Sequence, residues 1–365
     1  MEIYILFLSV LLVFSFLEVF KKANILLQKY LLLSTYLLSV FLVGLRWRTG
    51  TDWEPYKEVF ENISEYLHKA MYEGTFIMEI GYLFLNYLVR LFTNNYSVFL
   101  FLHATIFYYL VIYGLRKITE YPISSYLFLF ASSLGMIGSN RQLLTVALVL
   151  YCLPMVIARN RWFFGVIAAS MSIHLTTILG SVYYFINRKF KWQHIVIVLI
   201  VSFFIGFSTL PSILFKSIGF FSDFIHLRTE HYSTAIVSPL SLLGIAKRAI
   251  FAVFFLWIRD KVEKVYPYYN LLLNGYLISL VLYLLFGSSL SIIVSRGSMY
   301  FNIVEGVLLT SILYILKERW QKVVSILALF ALSIWMMHNS IKVYPDLFKP
   351  YKSLWYNQQY QRNMY

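Results

Sequence analysis

Runs of about twenty apolar residues recur along this chain, and nothing else constrains its fold as strongly. "IYILFLSVLLVFSFLEVF" at 3–20 and "YYNLLLNGYLISLVLYLLFG" at 268–287 each reach the roughly 20 residues that a helix needs to cross about 30 Å of hydrocarbon. With 60% hydrophobic and 13% charged residues over 365 positions, apolar runs set the architecture, and domain counting by length does not apply. The expected fold class is all-α. The chain reads as one polytopic integral membrane domain over 1–365, of about 10–12 transmembrane helices with short interfacial or re-entrant helices on the outer side.

Spans are expected near 3–20, 30–45, 96–115, 123–138, 142–158, 162–187, 192–208, 240–258, 267–287, 290–316 and 321–337. The 162–187 run is too long for one crossing and suggests two short broken helices. Basic residues follow the first run as Lys21 and Lys22, the reverse of a cleavable signal peptide, so an uncleaved span with its amino terminus outside is expected. The six short loops this threading places inside hold 16 of the 31 lysines and arginines, in agreement with the positive-inside bias. The net charge of +14 is thereby topological, and no folded basic domain exists to hold nucleic acid. Cys152 is the only cysteine, so no internal disulfide can form.

Three polar regions fall outside: a first loop at 46–95, a second at 209–239 and a carboxy-terminal tail at 338–365. In the first, Trp53, Tyr56, Val59, Phe60, Ile63, Tyr66 and Leu67 recur at helical period, which predicts an amphipathic helix along the membrane surface. The following "FIMEIGYLFLNYLVRLF" carries Glu79, Asn86 and Arg90 as a polar stripe and reads as re-entrant or interfacial.

Charges in or beside hydrocarbon are costly, so each must be paired, wet or functional. Arg46 and Arg48 at the outer end of the second span, Arg141 in "GSNRQ", His174 and Arg296 are all expected at the outer rim. Such a cluster suits a diphosphate, because guanidinium forks match phosphate oxygens and stay charged. Ser291, Ser295, Ser298, Asn302 and Glu305 continue a stripe that could line a structural seam, and Lys247 and Arg248 could pair with Glu305. Asp52 suits either a helix cap or a general base. "DWE" (Asp52, Glu54) spells a short acidic triplet of metal-binding type. No G-x-S-x-G, P-loop, H-E-x-x-H or C-x-x-C motif occurs, and no transporter-like internal repeat is visible.

The stretch "VGLRWRTGTDWEPYKEVF" resembles the signature of EpsG-like, Wzy-type polysaccharide polymerases, G-x-R-x-x-x-G-x-D-x-x-x-Y, here Gly44, Arg46, Gly50, Asp52 and Tyr56. "EIGYLFLN" (Glu79, Gly81, Tyr82), "NRQLLTVAL" (Arg141, Gln142), "SIHLTTIL" (His174), "SRGSMYF" (Arg296, Tyr300, Phe301) and "PYKSLW" (Pro350, Tyr351) follow in order. Thr176 and Thr177 stand where the family usually has a serine, and Glu54 lies outside the pattern.

The resemblance implies a glycosyltransferase on the outer face of the bacterial inner membrane. It would join oligosaccharide repeat units carried on undecaprenyl diphosphate into O-antigen, capsule or exopolysaccharide, with no metal or other cofactor. Asp52, His174 or Glu79 are the candidate catalytic groups. Arg46, Arg48, Arg141, Arg296, Gln142, Tyr56 and Tyr300 are the candidate diphosphate or substrate ligands, with Trp47, Trp53 and Tyr56 offering faces to sugar rings. The lipid bilayer, and a chain-length regulator and flippase, are the expected partners. Two alternatives remain at the level of sequence: a metal-dependent glycosyltransferase using a polyprenyl-phosphate sugar, with Asp52 and Glu54 on the metal, and a flippase or transporter of lipid-linked saccharide.

Overall fold

The computed structural model describes residues 1–21, 24–75, 77–213, 242–290 and 293–358. The protein is all-α, with no β-strand among the described residues. The helices are α1 (Glu2–Phe20), α2 (Ile25–Gly44), α3 (Trp53–Glu61), α4 (Ile63–Tyr72), α5 (Ile80–Arg90), α6 (Tyr96–Ile118), α7 (Pro122–Ser133) and α8 (Asn140–Ile157). They continue as α9 (Trp162–Met171), α10 (Tyr183–Ile186), α11 (Trp192–Gly206), α12 (Leu242–Val262), α13 (Tyr269–Phe286), α14 (Met299–Asn302), α15 (Glu305–Thr310) and α16 (Arg319–Ile341). Six of them, α1, α2, α6, α8, α13 and α16, are long and apolar enough to span a bilayer by length and composition.

Two of the long apolar runs are broken. The 162–187 run folds as α9, then a 3₁₀ stretch at Leu175–Val182 and α10, with the break at Ser172–His174. The 290–316 run is a chain of short turns: a π-helical turn at Ile293–Gly297, α14, α15 and a 3₁₀ turn at Ser311–Tyr314. It is the polar stripe that coincides with these breaks. Ser291 and most of the 209–239 loop lie outside the described residues.

Side-chain contacts divide the bundle into two ends. At one, the basic loops meet: Arg159 Nη1 donates to the Tyr184 carbonyl (2.8 Å), Arg259 donates to the Phe190 carbonyl (2.8 Å) and Asn270 Oδ1 (2.8 Å), and Lys189 pairs with Asp260 (3.0 Å). The same end holds Glu18 at the close of α1. It accepts from the Ile123 N–H (2.7 Å), the Ser124 N–H (2.9 Å) and the Ser124 hydroxyl (2.7 Å). A buried carboxylate from one span thus caps the amino terminus of α7, whose Pro122 has no N–H to satisfy. Glu18→Leu should leave those donors buried without partners, at about 1–3 kcal/mol each. A clear fall in the thermal midpoint of detergent-solubilised protein is expected, and an unchanged midpoint would remove this role for Glu18.

At the opposite end lie residues 44–56, the start of α8 and the tail. Trp47 N–H donates to the Lys352 carbonyl (3.0 Å) and Leu354 N–H to the Leu45 carbonyl (3.0 Å), so the tail straps the 45–47 turn. The amphipathic 53–67 stretch forms two helices, α3 and α4, meeting at Asn62. A helix lying along the membrane surface would set this apolar face against lipid. Trp53, Tyr56, Val59, Phe60 and Ile63 instead pack in one cluster with Tyr82, Leu83, Tyr96, Phe99 and Leu100 of α5 and α6. The aromatic ends of α5 and α6 supply a protein partner for that face.

Candidate active site

Construction of the site begins with two glycines. Gly50 has φ +95°, in the region that side chains avoid, and a Cβ there would lie 2.7 Å from Gly138 Cα and N. The 44–52 loop therefore crosses the turn before α8 backbone to backbone, and brings Asp52, Trp53 and Tyr56 beside Asn140 and Arg141. A second close approach occurs at Gly81, whose Cβ would meet the Ser172 carbonyl at 2.8 Å and whose N–H donates to that oxygen at 2.7 Å. It docks α5, and with it Glu79, on the break before the 3₁₀ stretch.

Arg141 stands at the centre. Its Nε donates to the Tyr56 hydroxyl (3.1 Å), its Nη1 pairs with Glu79 Oε2, and its guanidinium lies 5.7 Å from the Tyr56 ring centroid and 6.0 Å from that of Tyr82. Glu79 Oε1 also accepts from the Leu175 N–H (3.3 Å). Burial pushes the Tyr56 hydroxyl pKa up, while Arg141 and Arg296 draw it down and Asp52 adds to the rise. Two arginines and one carboxylate thus act on one phenol. Gln142 Nε2 donates to the Arg296 carbonyl and ties the π-helical turn to α8.

Tyr300 closes the floor. Its hydroxyl meets those of Thr145 (2.9 Å), Thr176 (3.1 Å) and Thr177 (3.3 Å). His174 caps the 3₁₀ stretch: its Nδ1 accepts from the Thr176 N–H (3.4 Å) and lies 3.0 Å from the Thr176 hydroxyl. With Nδ1 accepting, the neutral ring carries its proton on Nε2 and presents a donor there.

The remaining candidates sit elsewhere around this centre. Arg46 is 3% exposed and folds back under the loop, donating to the Val43 carbonyl (3.0 Å) and to Asn140 Oδ1 (2.9 Å). It staples the carboxy end of α2 to the start of α8. Arg48, in the left-handed region at φ 44°, turns to Glu54 (3.2 Å). The structure therefore sets the Arg141 guanidinium on Tyr56 and Glu79, ties the Arg296 backbone to the neighbouring Gln142, and engages the Arg46 and Arg48 guanidiniums with other partners. Asp52 precedes α3 at its N-cap position, yet its side chain makes no capping hydrogen bond. Trp53 and Tyr56 are buried in edge-to-face contacts with Trp47, Tyr96 and Tyr82, ring centroids 5.3–5.5 Å apart, so neither ring is open to a sugar. Lys247 does approach Glu305, at 3.5 Å, and neither contacts the residues of this centre described above.

Two participants were not legible beforehand. Asn140 links Arg46 to His103, whose Nε2 lies 3.0 Å from the Asn140 carbonyl. Thr145 lies one turn along α8 from Arg141, on the same face, and that i+4 spacing was the available signal.

Such an arrangement defines a class: an all-α polytopic membrane protein that concentrates a braced guanidinium, carboxylates and an imidazole at one end of its bundle. The chain belongs to the EpsG family, whose model matches residues 29–353. It is thereby a polysaccharide-polymerase-like membrane protein of a family associated with polysaccharide biosynthesis and glycosyltransferase-like function. No curated protein and no solved structure matches it.

Proposed function

We propose that the protein polymerises oligosaccharide repeat units carried on undecaprenyl diphosphate, at the outer face of the bacterial inner membrane. One observation carries this above the others: Arg141 is held in a fixed pose by Tyr56 and Glu79, and its neighbour Gln142 holds the turn that carries Arg296. A guanidinium fixed before the reaction stabilises charge that develops on a leaving group without reorganising.

In this mechanism the acceptor hydroxyl oxygen bonds to the anomeric carbon of the donor chain as the bond from that carbon to the lipid diphosphate breaks. The acceptor proton passes to a base, and polyprenyl diphosphate departs with the bonding pair. Arg141 and Arg296 face the developing diphosphate charge, with Gln142 holding the turn that carries Arg296. Asp52, whose carboxylate is not engaged in capping, is the preferred base. Glu79 positions Arg141, and the Nε2–H of His174 serves as a donor to substrate oxygen. The product is O-antigen, capsule or exopolysaccharide, with a flippase supplying the units and a chain-length regulator acting on them.

The test is charge reversal at Arg296. Arg296→Glu, inserted at normal level, should abolish polymer while lipid-linked single repeats accumulate; unchanged chain length would remove the assignment. A metal-dependent transfer through Asp52 and Glu54 has less support, since Glu54 is engaged by Arg48 and no group of three potential metal ligands occurs among the described residues. Polymerisation by purified protein should accordingly persist in excess chelator, and loss that is restored by divalent metal would favour the metal mechanism.

A further inference from the structure

A half-open cavity of about 260 Å³ lies between α6, α7, α8, α12, α14, α15, α16 and the π-helical turn. Most of its wall is apolar, with Phe107, Val111, Leu143, Met299 and Met336 among the lining residues. Three charges nevertheless line it: Lys247 and Arg248 on the second turn of α12, and Glu305 at the start of α15. Charges at such a place are expensive unless paired or at work.

Pairing inside the protein is incomplete. Lys247 reaches Glu305 only at 3.5 Å, and its further contacts are the Met336 sulfur at 3.5 Å and the Phe251 ring at 5.6 Å. Glu305 Oε1 is buried without a hydrogen bond. Arg248 donates to the Gly244 carbonyl (3.1 Å) and lies 4.0 Å over the Tyr283 ring. One carboxylate thus faces two cations, and the cavity is left with a net positive charge in apolar walls.

Its position matters as well. Leu143 and Ser295, both on the cavity wall, are the immediate neighbours of Gln142 and Arg296, which are hydrogen-bonded to each other. The cavity therefore begins directly behind the candidate active site. Its volume falls below the about 300–1,000 Å³ of pockets that enclose drug-sized ligands. A phosphate head with the first part of an apolar tail fits that space, and a glycan attached to the head would extend through the open side.

We propose that the Lys247–Arg248 cavity is a second phosphate site, which holds the phosphate head of a polyprenyl-diphosphate-linked unit beside the Arg141–Arg296 centre. This rests on the polymerase assignment, because joining two lipid-linked units requires two anionic lipid heads to be held at once. The Arg141–Arg296 centre takes the head that leaves, and the Lys247–Arg248 cavity takes the head that stays attached.

Titration of the intact detergent-solubilised protein with a short-chain polyprenyl phosphate, read by native mass spectrometry, tests this. Arg248→Gln is expected to weaken binding by about tenfold or more, the loss typical of a charge-assisted hydrogen bond, and Arg248→Lys to retain most of it. The double variant Lys247→Met with Glu305→Gln removes both partners and strands no buried charge, and it should weaken binding to a similar degree. Arg141→Gln should leave this site unaffected. Inorganic phosphate and phosphatidylglycerol vesicles should not displace the probe; displacement by the first would make it a free-anion site, and by the second a general anionic-lipid site, and either overturns the proposal. Equal binding by wild type and both charge-removing variants also overturns it. Chain growth is scored separately with the same preparations. If wild-type protein makes no polymer yet binds the probe through Lys247 and Arg248, the polymerase assignment falls and the phosphate site stands.

Discussion

Arg141→Gln is expected to lower polymer synthesis by about a hundredfold to a thousandfold, the range found when one preorganised donor to a developing negative charge is removed. Two losses combine. The leaving diphosphate loses the guanidinium that is fixed before it arrives, and Glu79 is left as a buried carboxylate without its cation. The second loss is structural and can be separated from the first. Pairing Arg141→Gln with Glu79→Gln removes the stranded charge, so the double variant should regain thermal stability while synthesis stays low. Arg141→Lys keeps the charge but cannot reach both the Tyr56 hydroxyl and Glu79 as a rigid fork does, so it should restore stability better than turnover. Full synthesis by the double variant would show that Arg141 only holds the fold together.

Gly50→Val should be the most damaging substitution to the fold of the site. The residue sits at φ +95°, and its new Cβ would fall 2.7 Å from two backbone atoms of Gly138, neither of which is a flexible side-chain end. Strain and clash together are expected to cost about 2–5 kcal/mol, since left-handed strain alone costs about 1–2 kcal/mol and overpacking adds about 1–3 kcal/mol. The loop carrying Asp52 and Tyr56 would lift away from Arg141. Gly74→Ala is the matched control, with φ +67° and nothing within 4 Å of the added Cβ. It should cost only the conformational term. Limited proteolysis within 46–90 and the thermal midpoint both measure the difference; equal behaviour of the two variants would rule out the backbone crossing.

Much of the architecture was legible because hydrocarbon leaves few choices. Run length located α1, α2, α6, α8, α13 and α16, and the excess length of the 162–187 run predicted its break. The 290–316 run did not announce its breaks, because composition does not show whether a polar stripe will be satisfied on a continuous helix or by unwinding. Periodicity found the apolar face of α3 but not what covers it, since the covering rings of Tyr82, Tyr96 and Phe99 come from elements that the pattern does not relate to it.

The same distinction applies at the site. Arg46, Arg48, Arg141 and Arg296 are alike as charges along the chain, and only backbone paths separate them. The turn after Gly44 sends Arg46 back to the Val43 carbonyl, and the left-handed Arg48 turns its side chain to Glu54. Arg141, on the first turn of α8, reaches Tyr56 and Glu79. The convergence of Arg141, Glu79 and Tyr56 joins residues 62 and 85 positions apart in sequence, a relation that no local pattern expresses.

The most direct measurement is incubation of the purified protein in lipid nanodiscs with a synthetic undecaprenyl-diphosphate-linked repeat unit, followed by mass analysis of glycan and lipid. A ladder of glycans growing by whole repeats, with one undecaprenyl diphosphate released per new linkage, is the predicted result. Recovery of the lipid-linked repeat unchanged, or merely moved across the bilayer, would contradict it.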